Sequence, residues 1–192
     1  MDTALKPEFR ERIIAARTAK TQSELDFASQ EFAKHPWEKL ITGQSVTCYA
    51  SMGNEPGTEA LRKALAGIGK TIYLPIIGPD KKMSWGLDRA PLVENIYGIL
   101  EPEVSRFDLS SADAVILPAL CVDNIGNRLG RGAGYFDRAL ADVPEFKAGG
   151  PLRIALVFDE EVLAHVPSDV HDAPVDLIVT PTRVIECTQT GS

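Results

Sequence analysis

Asn127-Arg128-Leu129-Gly130-Arg131-Gly132-Ala133-Gly134-Tyr135-Phe136-Asp137-Arg138 is the stretch on which the reading of this chain turns. Three glycines alternate, at Gly130, Gly132 and Gly134, and arginines flank the first of them. The segment follows an apolar run, Ala114-Val115-Ile116-Leu117, and opens a helix-like stretch from Tyr135 to Leu140. A glycine turn between a strand and a helix N-terminus offers unobstructed backbone N–H groups and a favourable dipole. Arg128 and Arg131 add planar, permanently charged forks that match phosphate oxygens. The segment therefore reads as a phosphate cradle within a strand–loop–helix unit. No Gly-Lys-Ser/Thr follows, so it is not a Walker A loop, and G-x-G-x-G differs from the dinucleotide spacing G-x-G-x-x-G. The competing reading is a tight loop that uses glycine for geometry alone; the two flanking arginines favour anion binding.

The remaining pattern extends this unit in both directions. Leu5, Phe9, Ile13 and Ala16 recur at helical spacing, and Ser23 with Asp26 resembles a capping box for a second helix through Phe27 and Phe32. Ser45 to Ala50 is β-rich and reads as a first strand. A helix containing Leu61, Ala64 and Leu65 ends at Gly67 and Gly69. Thr71 to Ile77 reads as a second strand and Met83 to Leu87 as a short one, whereas Asp88 to Asp108 is loop-rich. Ala114 to Leu117, Arg153 to Phe158 and Asp176 to Thr180 complete the strands. Strands alternating with helices predict an α/β fold: one layered domain over residues 1–192, with a central, largely parallel or mixed sheet flanked by helices.

Composition agrees with a packed domain, since 44% of the 192 residues are hydrophobic and 24% charged. The net charge of −7 argues against nucleic acid or an anionic membrane as partner, because either demands a broad basic face. A small anionic ligand needs only a local basic patch. Cys48, Cys121 and Cys187 form no C-x-x-C pair and read as buried free thiols. The N-terminus shows no signal peptide and no run approaches ~18 apolar residues, so the cytoplasm is the expected location. No protein partner is implied.

Several residues carry candidate chemistry. Ligands in open α/β sheets sit at the carboxyl ends of the strands, where Glu55, Asp123 and the glycine segment fall. Lys6 and Arg10 share a helix face, which by spacing alone is a solvated surface. Asp137 stands in the first turn after the glycines, where an acid complements the dipole, and Asp172 in a turn that suits its geometry. His171 lacks partners for a zinc site. Met83 and Tyr97 read as packing residues.

Pro118-Ala119-Leu120-Cys121-Val122-Asp123, followed by Gly126 to Arg138, closely resembles the motif of the 5-formyltetrahydrofolate cyclo-ligase family, also called methenyltetrahydrofolate synthetase. Further matches keep the family's order: Lys6 and Arg10, Trp37, Glu55 with Thr58, Gly69-Lys70, Leu74-Pro75, Met83, Gly98 to Pro102, His171-Asp172 and Val175-Asp176. The resemblance implies ATP-dependent closure of 5-formyltetrahydrofolate to 5,10-methenyltetrahydrofolate, with Mg²⁺. It implies that Lys6, Arg10, Gly130, Arg131, Gly132, Ala133, Gly134 and Tyr135 meet ATP. It places the folate on Glu55, Met83, Tyr97 and Tyr135, Mg²⁺ on Asp137 and Asp172, and the transferring charge on Arg131 and Arg128. The chain departs from the family's pattern at Ala119, Ala133, Phe136 and Pro181, and these departures do not touch the implied metal or arginine positions. A sugar-phosphate isomerase on a similar scaffold and a non-catalytic folate- or nucleotide-binding homologue are the alternatives.

Overall fold

The protein is described by a computed structural model covering residues 2–78, 82–89 and 91–188. The chain begins with helices α1 (Lys6–Thr18), α2 (Gln22–Lys34) and the single turn α3 (Trp37–Leu40), followed by strand β1 (Ser45–Thr47) and helix α4 (Glu59–Gly67). Strands β2 (Thr71–Ile77) and β3 (Met83–Leu87) come next, then a small hairpin of β4 (Val93–Glu94) and β5 (Leu100–Glu101). The second half contains β6 (Ala114–Pro118), β7 (Cys121–Asp123), β8 (Arg128–Leu129), α5 (Tyr135–Leu140), β9 (Leu152–Leu156), β10 (Val162–Leu163), β11 (Leu177–Val179) and β12 (Val184–Glu186). No helix among the described residues is long and apolar enough to cross a membrane.

Seven strands form the main sheet in the order β12-β11-β9-β6-β1-β2-β3. The five inner strands run parallel, and β3 and β12 close the two edges antiparallel. The expected mixed, largely parallel α/β sheet is what forms. Period-2 alternation explains why it stays buried. Ala114, Ile116, Ile154, Leu156, Leu177 and Val179 face one way, into a core with Phe32, Trp37, Leu61 and Leu65 of α2, α3 and α4. Val115, Leu117, Ala155, Val157 and Ile178 face the other way, with Trp85, Val122, Leu140 and Val175. A one-residue slip in any inner strand would exchange these two sets, so both cores hold the register.

Asp113 locks the start of the sheet. Its Oδ2 accepts from Ser45 N at 2.8 Å and from Ser45 Oγ at 2.6 Å, tying the entry of β1 to that of β6. Those hydrogen bonds, the hydroxyl's first, hold the Asp113 carboxyl below its ordinary range. Gly43 must be glycine for this, since a Cβ there would fall 2.0 Å from Asp113 Cγ.

Three local expectations are corrected. The capping box of α2 is Thr21 with Glu24, not Ser23 with Asp26: Glu24 N donates to Thr21 Oγ1 at 3.3 Å, and Thr21 N donates to Glu24 Oε2 at 2.7 Å. The helix itself runs through Phe27 and Phe32 as expected, with Ala28 and Phe32 turned inward and Phe27 largely exposed. On α1 the buried stripe is not Leu5, Phe9, Ile13 and Ala16: Lys6, Ile13 and Arg17 are buried, Phe9 and Arg10 half-buried, and Leu5 and Ala16 exposed. The glycine segment does not leave a strand of the main sheet either. It leaves β8, which pairs antiparallel with β7 in a separate three-stranded sheet, β10-β7-β8. Strand β12 and the β4–β5 hairpin carry too little apolar alternation to stand out in the sequence.

The two candidate caps are separable by experiment. Thr21→Ala is expected to cost about 0.5–2 kcal/mol of stability through the lost N-cap, and Ser23→Ala almost nothing. Urea midpoints of both variants check this, and equal effects would refute the observed cap.

Candidate active site

The winding of the main sheet reverses at β1. From β1 the chain adds β2 on one side and later β6 on the other. Loops leaving the carboxyl ends of β1 and β6 therefore diverge, and open α/β sheets bind ligands in the crevice between them. A cavity of about 450 Å³ opens there. Tyr49, Ala50, Met52 and Glu55 after β1 form one wall, and Pro118 and Ala119 at the end of β6 the opposite one. Pro75 and Ile77 of β2 with Met83 of β3 add an apolar side, since Ile77 pairs with Met83 across the antiparallel edge. Tyr97 and Ile99 from the β4–β5 turn, the glycine segment with the first turn of α5, and Arg17 of α1 complete the lining.

The glycine segment has the geometry that its glycines allow. Gly132 (φ 104°) and Gly134 (φ 66°) lie in the left-handed region. A Cβ at Gly132 would press on the Arg10 guanidinium at 3.3 Å. Among the described residues, two of the segment's carbonyls accept from arginines: Arg10 Nε donates to Gly130 O at 3.0 Å and Arg138 Nη2 to Ala133 O at 2.9 Å. None of the N–H groups from Gly130 to Gly134 is paired within the described network. Backbone donors are thus left over in the segment, as an anion site requires. Helix α5, which follows, is only six residues long. Its dipole is correspondingly small, so the segment's N–H groups and arginines dominate the local field.

Glu55 and Arg131 meet directly. Arg131 Nε donates to Glu55 Oε1 at 2.8 Å, and Met52 N donates to Oε2 at 3.0 Å. The Glu55 side chain is 8% exposed and that of Arg131 45%, so a buried carboxylate orients a guanidinium that still reaches solvent. Arg128 differs: it is buried, ion-paired with Asp137, and donates through Nη1 to Pro118 O at 3.2 Å, while its enclosed Nε has no protein partner. In this structure it braces the end of β6 against α5. Tyr135 lies against Tyr97, and a hydrogen bond between the two holds the Tyr135 phenol above its ordinary value.

Lys6 and Arg10 lie behind the cavity and not on its wall. Lys6 Nζ is bonded to Asp169 Oδ2 at 2.8 Å and to Asp172 Oδ2 at 2.5 Å. Burial lowers the Lys6 pKa, but the two carboxylates outweigh it and the net shift is upward. Asp172 also accepts from Asp169 N at 2.8 Å, and Asp137 from Ala173 N at 3.1 Å. Asp137 and Asp172 share a second depression with Gly134, Arg138 and His171, and Gly134 and Asp137 line the first cavity as well. Each carboxylate already holds a cationic side chain. Among the described residues, no group of three or more His, Cys, Asp or Glu is placed to hold a metal. Cys48 and Cys121 are buried free thiols as expected, whereas Cys187 is half-buried; burial pushes each thiol to about 12.

Sequence reasoning overlooked Arg17 and Glu161, a bidentate pair buried beside the cavity. The signal was available: Lys6, Arg10, Ile13 and Arg17 recur at i, i+4, i+7 and i+11, one face of a helix. Cationic residues at that period read as solvated unless carboxylates are known to lie opposite.

Crevice, glycine segment and paired arginines define an α/β enzyme scaffold with a ligand cleft at its winding reversal. The chain belongs to the 5-formyltetrahydrofolate cyclo-ligase family, whose match covers residues 2–181. It is 36% identical over 154 residues to the 5-formyltetrahydrofolate cyclo-ligase of Mycolicibacterium smegmatis, covering 76% of this chain and 77% of that one. The Haemophilus influenzae protein of the same name is 26% identical over 189 residues, covering 93% of this chain and 100% of its own. The 5,10-methenyltetrahydrofolate synthetase of Aquifex aeolicus superposes with a TM-score of 0.80 at 25% identity, covering 98% of this chain and 95% of that chain. The reaction of the family is the ATP-dependent cyclisation of 5-formyltetrahydrofolate, and its members are ligases.

Gly132→Val is expected to abolish ATP binding while leaving the melting temperature within a few degrees, because the position is exposed but needs a left-handed backbone. Calorimetric titration of ATP with a parallel melt checks it; retained affinity would make the segment a structural turn only.

Proposed function

We propose that the chain converts 5-formyltetrahydrofolate to 5,10-methenyltetrahydrofolate with release of ADP and phosphate. The folate lies in the 450 Å³ cavity and the ATP phosphates on the glycine segment. The observation that carries this reading is the Glu55–Arg131 pair, which joins the wall of the cavity to the phosphate-facing segment at 2.8 Å. A reaction between a ring substituent and a γ-phosphate needs those two regions to touch.

The chemical obstacle is an amide whose carbonyl oxygen is a poor leaving group. The formyl oxygen attacks the γ-phosphorus and the bond to ADP breaks, which leaves an N-formyl phosphate-like intermediate. N10 then attacks the formyl carbon and loses its proton, and phosphate departs as the ring closes. The protein positions the two substrates and neutralises charge. Glu55, Met83, Tyr97 and Tyr135 hold the folate. The N–H groups from Gly130 to Gly134 and the Arg131 fork meet the phosphates, and Arg10 holds the segment open through the Gly130 carbonyl. Arg128 sets the position of the segment from below. Lys6 is held at the rear by Asp169 and Asp172, and exchanges these carboxylates for phosphate oxygens when ATP enters.

Asp137 and Asp172 suit Mg²⁺ in ligand type, since that ion takes one or two carboxylates and completes its shell with phosphate oxygens and water. Both aspartates border the depression beside Gly134. The bound ion supplies charge neutralisation of the phosphates. Until then Asp137 is ion-paired with Arg128 and Asp172 with Lys6.

Incubation with ATP, Mg²⁺ and 5-formyltetrahydrofolate is expected to generate the near-ultraviolet absorbance of the methenyl product. A signal without ATP would indicate an isomerase-type activity, and binding without turnover a non-catalytic homologue. Arg131→Ala is expected to lower kcat by about 10²–10³ through loss of one charge-assisted donor. Arg131→Lys keeps the charge beside Glu55 and should lose less. Wild-type turnover in Arg131→Ala would remove this residue from the reaction.

A further inference from the structure

Arg17 of α1 lines the cavity. Its side chain is only 3% exposed, and most of its guanidinium is spent inside the protein. Nε donates to Glu161 Oε1 at 2.7 Å, and Nη2 donates to Glu161 Oε2 at 2.8 Å and to Ala119 O at 2.6 Å. The fork is thereby fixed in plane and position, with the Phe158 ring 5.5 Å from its central carbon. Nη1 has no acceptor among the described residues. The arginine nitrogens that are both enclosed and unpaired belong to Arg62, Arg128 and Arg153. Arg17 Nη1 is not one of them, so it keeps accessible surface, and Arg17 is among the residues that line the cavity. A structural strut would need no such open donor pair, because Glu161 already balances the charge.

Arg17 is also tied to the opposite wall. Asn54 Nδ2 donates to the Arg17 carbonyl at 3.0 Å, one residue before Glu55. Burial works against the Arg17 charge, while Glu161, then Tyr49 and Glu55, raise its pKa, so the guanidinium and the Glu55 carboxylate feel one another. Each Glu55 oxygen accepts one protein N–H and keeps a lone pair for a ligand. The cavity thus offers an acceptor, Glu55, and a fixed donor group, Arg17, that feel one another. The complement is a planar edge with an N–H beside a carbonyl oxygen.

We infer that Arg17 is a specificity-determining, substrate-positioning residue: its Nη1 donates to the ring carbonyl of the folate, next to the ring N–H that Glu55 accepts. The inference rests on the proposed function and adds to it the recognition of that carbonyl. A 4-amino analogue would set a donor against a donor, and a rigid buried fork cannot turn away to accommodate it.

Calorimetry on the full chain with a non-hydrolysable ATP analogue compares 5-formyltetrahydrofolate with its 4-amino counterpart. The wild type is expected to prefer the carbonyl form by roughly 10–100-fold, the range for a hydrogen bond to a charged group. Arg17→Leu combined with Glu161→Leu removes both buried charges together, which well-packed interiors tolerate. Arg17→Lys keeps a charge opposite Glu161 but lacks the fork. Both variants should lose the part of the preference that Arg17 supplies, leaving the part that Glu55 draws from the ring N–H, and bind the ATP analogue within about twofold of the wild type, a change below ~0.5 kcal/mol. Equal binding of the two folates by the wild type, or an undiminished preference in Arg17→Lys, would overturn the inference. A wild type that binds the ATP analogue but neither folate would overturn the proposed function, and this inference with it.

Discussion

The reversal of winding at β1 is the constraint on which the site depends. β6, β9 and β11 bury both of their faces, so none of them can slide or peel away to fill the crevice. With β2 added on one side of β1 and β6 on the other, the two following loops must part. The space between them is closed only by side chains and by elements brought from elsewhere. The glycine segment comes from the small sheet β10-β7-β8, and Arg17 from the first helix. The cavity is a consequence of topology before it is a consequence of any one residue.

Charge is arranged around that space in pairs. Arg131 rests on Glu55, Arg17 on Glu161, Arg128 on Asp137, and Lys6 on Asp169 and Asp172. Lone buried cations would be too costly, so each is compensated. Pairing also fixes where each donor points, and side chains held in this way need little reorganisation when a polyanion arrives. A chain with net charge −7 thereby keeps a local basic site without a basic surface. The pairs differ in what remains available. Arg131 stays half exposed, Arg17 keeps one open nitrogen, and Arg128 is enclosed.

Much of this was legible beforehand. The apolar runs at Ala114–Leu117 and Arg153–Phe158 and the glycine spacing at Gly130–Gly134 are local signals, because strand burial and positive φ act on residues close in sequence. Convergence of Glu55, Met83, Tyr97 and the glycine segment on one cavity was legible through the family resemblance, because the segment leaves β8 of the small sheet and not a strand of the main one. The face of α1 was misread because amphipathic patterning assumes an apolar buried side. Here the buried side carries Lys6 and Arg17, made acceptable by carboxylates more than 140 positions away. The α2 cap was misplaced by two residues because Ser23 and Thr21 offer the same chemistry locally. Only the direction in which the chain enters the helix selects between them.

The sequence by itself determined the α/β class, the strands of the sheet interior, the glycine segment and the family to which the chain belongs, since periodicity and turn chemistry are short-range properties. Tertiary structure alone decided which charges meet: that Arg131 rests on Glu55, that Lys6 turns to Asp172 and away from the cavity, and that Arg17 is buried with one nitrogen left open. The physical reason is that an ion pair is worth little until burial removes water from it. Burial at this site is set by the return of α1, β6 and the glycine segment to one place, which no local stretch of sequence encodes.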